Sequence, residues 1–176
     1  MTAVVEQARD TGRLAPATTA RLLEAVLLDE LWEDVLERCT STLLPPLRAD
    51  LLRAGLAHGA TSVRLLCAEY IGKFPFVGAD DVLADAVSHS DPVIVRRFAL
   101  LALATLALAR AVAWAEGFLS PLHPDEYLVL AAIDILAAHA PARLSPLEPA
   151  LRQHPSEHVR GRVRPSSFPA GPHPLP

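Results

Sequence analysis

The chain has 176 residues, 51% hydrophobic and 20% charged, a balance that suits one globular domain with a sizeable core and excludes a wholly disordered chain. A net charge of -4 with a pI near 5.9 offers no general attraction to nucleic-acid phosphates or anionic lipid, and favours a basic partner instead. Cys39 and Cys67 lie far apart and in no metal-ligand spacing, so no disulfide framework, metal or cofactor is expected.

Residues 1–17 are expected to be a flexible N-terminus. Their acidic residues and the lack of an apolar stretch do not make a secretory signal, so a cytoplasmic protein is expected. Lys73 is the sole lysine against many arginines, a bias typical of a GC-rich bacterial genome. Residues 18–57 follow as a helical hairpin. Its first member carries Leu28, Leu31, Trp32, Val35 and Cys39 on one stripe, Pro45 and Pro46 break it, and a shorter helix runs from about Leu47 to Ala57.

From residue 58 to residue 160 the chain repeats itself at a shift of 32. Val63, Val95, Tyr127 and Val159 fall in register, each just after a turn-like segment: HGATSV, SDPVIV, HPDEY and HPSEHV. Arg64, Arg96 and Arg160 follow three of them, and Leu128 the other. Cys67, Ala99 and Ala131 match next, then Ile71, Leu103 and Ile135, which together define one face of a helix. A second set, Leu83, Ala115 and Leu147 with Val87, Leu119 and Leu151, defines another helix in the same period. Each period is therefore a helical hairpin. Gly72, Pro75 and Gly78 mark the bend of one hairpin and Pro141, Ser145 and Pro146 that of another. The middle hairpin has no bend signal, so ALLALATLALARAVAWAEGF is expected as one long helix or a weak turn near Arg110. The apolar run from Phe98 to Ala109 is too short to cross a membrane, which takes roughly twenty residues, and reads as a core helix. Pro92 and Pro124 are expected in the first turns of helices, with Asp91 as a cap. After residue 160, RGRVRPSSFPAGPHPLP places Arg162 and Arg164 on the core face, and residues 161–176 are expected as a disordered, proline-rich tail.

The segment DPVIVRR, opening an alanine- and leucine-rich helix within tandem helical pairs, resembles HEAT repeats, particularly the short bacterial HEAT-like repeats named after phycobilisome lyases. The resemblance covers about residues 58 to 160 and implies an all-α, right-handed α-solenoid of about three and a half helical hairpins. It further implies a structural ladder between units, in which Asp91 partners Arg96; Arg64 and Arg160 have Gly59 and Pro155 at the aspartate position.

In such a stack the second helices line the concave side, where Asp81, Asp85, Glu116 and Glu148 lie, with Arg152 as counterweight. The expected function is a non-catalytic scaffold that binds a basic segment of a partner protein on this acidic face, with neither nucleic acid nor membrane as partner. His58, His89, His123 and His154 recur near the turns, but histidines spread along stacked helices do not converge on one ion. Asp134, inside AAIDILAA, is expected at the edge of its helix, paired with Arg96, Arg97 or Arg110. The alternatives are a HEAT-like enzyme or subunit, bilin-lyase-like or DNA-lesion binding, and a fragment of a longer repeat protein that self-associates through an uncapped edge near Ile135 and Leu147.

Overall fold

The computed structural model describes residues 17–21 and 45–163. The described chain is helical, with no strand among the described residues. Residues 17–21 are helical, and the rest of the first expected helix, including Leu28, Leu31, Trp32, Val35 and Cys39, lies outside the described residues. We label the following helices α1 (Pro45–Leu56), α2 (Thr61–Lys73), α3 (Ala79–His89), α4 (Val93–Leu106), α5 (Leu108–Leu119) and α6 (Glu126–His139). Beyond them come α7 (Pro141–Leu144), a 3-10 turn (Ser145–Leu147), α8 (Glu148–Leu151) and α9 (Glu157–Arg162).

The first helices of successive periods, α2, α4 and α6, pack on one another in order, and α9 packs on α6. Each second helix packs chiefly on the first helix that follows it: α1 on α2, α3 on α4 and α5 on α6. By contrast, α2 only lightly touches α3, its neighbour in the chain. One apolar cluster runs from Leu47 to Val163. Its spine is the periodic face, with Val63, Cys67 and Ile71 on α2, Val95, Ala99 and Leu103 on α4, and Ala131 and Ile135 on α6, all buried. At Gly72 the α2 and α4 backbones come close, and a Cβ there would stand 3.2 Å from that of Ala102.

The register slips at α6. Tyr127, aligned with Val63 and Val95, is 49% exposed and lies under the Arg97 guanidinium at 5.9 Å, while Leu128 takes the buried place. The N-cap of α6, Asp125, lies 33 residues after that of α4, Pro92, one more than the period, and Asp125 caps the helix by accepting the backbone N–H groups of Tyr127 (2.9 Å) and Leu128 (3.1 Å). Asp91 does not cap α4. There the N-cap is Pro92, without a side-chain cap bond, and Pro124 precedes the cap of α6 rather than entering its first turn.

Three bends recur. Phe74 (φ -128, ψ 69), Ala107 (φ -140, ψ 67) and Ala140 (φ -147, ψ 54) end α2, α4 and α6 in one conformation at 33-residue intervals. Phe74 and Ala140 precede Pro75 and Pro141, whose rings disfavour the α conformation in the residue before them. Ala107 precedes Leu108, so the middle hairpin is not one continuous helix; it breaks three residues before Arg110, with no proline or glycine to force the bend. The last second helix is cut by Pro141, Pro146 and Pro149 into α7, the 3-10 turn and α8; Leu151 stays buried, Leu147 is half-buried and Ala150 is exposed.

The repeat also persists further than its sequence suggests. Gly161 and Arg162 belong to α9, and Val159 and Val163 are buried. Arg162 faces outward and makes a two-point pair with Asp134 at 2.6 and 2.8 Å, so this arginine, and not Arg96, Arg97 or Arg110, is the partner of Asp134. Residues 164–176, the remainder of the expected tail, lie outside the described residues. No helix among the described residues is long and apolar enough to cross a membrane.

Candidate functional site: a charged cleft and the ladder beside it

The four acids of the second-helix face each have a cationic or histidine neighbour. Arg110 of α5 reaches Asp81 at 2.7 Å and Asp80 at 3.4 Å on α3. Arg143 of α7 reaches Glu116 of α5 at 3.0 Å. Glu148 pairs with Arg152 one turn on, at 2.6 Å, and Asp85 meets only the His89 ring at 3.0 Å. Acid–arginine pairs thus join α3 to α5 and α5 to α7, and Asp134–Arg162 joins the first helices α6 and α9. A ladder exists, but on residues other than those the resemblance implied.

Arg96, expected opposite Asp91, instead donates its Nε hydrogen to the Val87 carbonyl at 2.7 Å. That carbonyl belongs to the last turn of α3, where helical carbonyls lack partners and a cation is favoured. Arg160 acts similarly on the His154 and Pro155 carbonyls, at 2.7 and 2.6 Å. Arg64 has only a 3.5 Å contact to the Thr61 hydroxyl, and its buried Nε has no partner. Among the described residues no ion pair joins Asp91 to Arg64 or Arg96.

The junction of α1 with α3 differs, because among the described residues Arg53 does not reach an acid of α3. Arg53 of α1 turns to Asp50 on its own helix, to the Phe76 ring at 4.4 Å and to the Val77 carbonyl at 3.1 Å. What remains is an open cleft of about 710 Å³. Arg53 and Leu56 of α1, Ala57 after it, Arg64 of α2, Asp81, Asp85 and His89 of α3, and Asp91 after that helix line the cleft. Of the expected surface residues, Asp81 and Asp85 meet here with Asp91 and Arg64; Glu116 and Glu148 do not line it. The Asp81 and Asp85 side chains are each 76% exposed, so their pairs are screened by solvent and hold them weakly.

The turn histidines have a structural job. His58, His123 and His154 each accept, on Nδ1, the backbone N–H two residues ahead, from Ala60 (3.1 Å), Asp125 (3.0 Å) and Ser156 (3.0 Å). Those three residues are the N-caps of α2, α6 and α9. The remaining turn has Pro92 as its N-cap, which has no N–H to offer, and His89 lies instead on the surface beside Asp85. A His-x-cap spacing was the available sequence signal. Among the described residues no group of three or more His, Cys, Asp or Glu side chains is arranged to hold a metal ion. Burial pushes the Cys67 thiol up to about 12, which keeps it protonated and a poor nucleophile. Trp114 is half-buried and stacks on Phe118 at 5.7 Å.

The chain matches no known family model, no curated protein and no solved structure.

Proposed function

We propose that the chain is a non-catalytic interaction module, a HEAT-like right-handed α-solenoid whose concave side is formed by the second helices and grips a basic segment of a partner protein in the α1–α3 cleft. The cleft carries this proposal. Arg110 and Arg143 bridge the later second helices, whereas Asp81, Asp85 and Asp91 line the α1–α3 cleft beside Arg53 and Arg64, and among the described residues neither of these two arginines pairs with them. The in-order packing of α2, α4, α6 and α9 supports the solenoid, since stacked hairpins present a long rigid surface without catalytic groups. The periodic DPVIVRR helix supports the family resemblance. An incoming arginine or lysine gains Asp85 and Asp91 directly and displaces, at most, exposed contacts worth about 0–1 kcal/mol.

The double variant Asp85→Lys/Asp91→Lys leaves the Asp81–Arg110 bridge intact. It is expected to weaken partner capture at least about tenfold while shifting Tm by less than about 2 °C, whereas Glu148→Lys leaves capture unchanged. Equal capture by wild type and double variant removes the cleft from consideration. DNA affinity with a steep salt dependence, or a co-purifying pigment, replaces the scaffold with an enzyme-class function.

A further inference from the structure

We propose that His123 is an acid-sensitive latch for the α5–α6 junction, its neutral imidazole holding the start of α6 and its protonated form releasing it. The Nδ1 atom accepts the N–H of Asp125, the residue whose carboxylate in turn caps α6 through Tyr127 and Leu128. A ring nitrogen that accepts this bond carries no proton, so the proton of the neutral ring sits on Nε2. Protonation turns the acceptor into a donor facing a donor, and the cap loses its anchor.

The surroundings set the direction of the response. From α5, Phe118 meets the imidazole edge-on at 5.4 Å. From α4, Arg96 faces it, held beside the same Phe118 ring at 5.4 Å and tied by Nε to the Val87 carbonyl, so its charge is fixed in place. Among the described residues, Asp125 in its own turn opposes Arg96. Burial, and then Arg96, outweigh Asp125 and hold the His123 imidazole below the ordinary histidine value. The unfolded chain therefore binds this proton more readily than the folded chain. Stability from the latch is complete above the unfolded value of about 6.5 and is lost as pH falls through the lower folded value. The geometry repeats at His154, where Arg160 grips the histidine's own carbonyl, and at His58.

The test is thermal unfolding of the full chain from about pH 7.5 to about pH 5, with ¹⁵N NMR of the His123 ring. Asparagine offers an acceptor at similar reach that does not titrate, since its side chain makes the same two-residue turn bond. His123→Asn is expected to lose about 2 to 4 °C less Tm than wild type over that range, while His89→Asn follows the wild-type profile. His123→Ala is expected to start lower and share the flatter profile; should it not fold, the asparagine variant and the NMR still decide. Parallel acid profiles for wild type and His123→Asn, or a proton on Nδ1 at neutral pH, overturn the proposal.

Discussion

The first helices and the second helices solve different problems. α2, α4 and α6 are 13 or 14 residues long, keep one buried face and pack on one another in order. The second helices vary, from unbroken α3 and α5 to the segments between Pro141 and Leu151, and are joined to one another by exposed acid–arginine pairs. Where apolar burial holds the stack, repetition is needed; where the contacts are solvated, the sequence is free to diverge. A binding surface belongs on the divergent side.

Truncating the spine should have the largest effect. Leu103 is fully buried on α4, and Leu103→Ala is expected to cost about 2–5 kcal/mol in chemical denaturation. Leu147→Ala, at a half-buried site on the other layer, should cost under about 2 kcal/mol. Similar losses at both sites would erase the distinction between the layers. Next, Gly72→Val inserts bulk where a Cβ already meets Ala102 at 3.2 Å, and is expected to cost about 1–3 kcal/mol by thermal unfolding. Gly78 precedes α3 with φ 79, a left-handed conformation that suits glycine, and has open space around a would-be Cβ. Gly78→Ala should therefore cost about 1 kcal/mol by denaturant titration, from the backbone alone. Smallest is Arg162→Gln, which removes an exposed pair; it should cost under about 1 kcal/mol, with the difference from wild type shrinking in high salt.

What the sequence revealed follows the same division. The period, the buried face from Val63 to Ile135 and the bends at Pro75 and Pro141 are legible because burial and proline act locally and repeat. The bend at Ala107 is not, since no neighbouring residue forces it. Leu128 takes the place of Tyr127 in the core because α6 starts one residue later than the period of 32 would place it. Arg162 looked misplaced on a core face; its outward pair with Asp134 depends on how α9 lies on α6, which no spacing encodes. Two of the four acids, Asp81 and Glu116, pair with Arg110 and Arg143, 29 and 27 residues away, on helices the period alone does not bring together. The recurrence of the turn histidines is visible in the sequence, but their role is not, because the cap N–H they accept belongs to the backbone.

The most direct test of the cleft is site-specific photo-crosslinking in host lysate. A photoreactive side chain replaces Ala57, an uncharged and exposed residue of the cleft, or Gln153, exposed near the other end of the described chain. The cleft account predicts that Ala57 crosslinks, mapped by mass spectrometry, fall within an arginine- or lysine-rich segment of one protein, disappear with Asp85→Lys/Asp91→Lys, and are absent from Gln153. Crosslinks that survive the double variant, or that form equally from Gln153, contradict it.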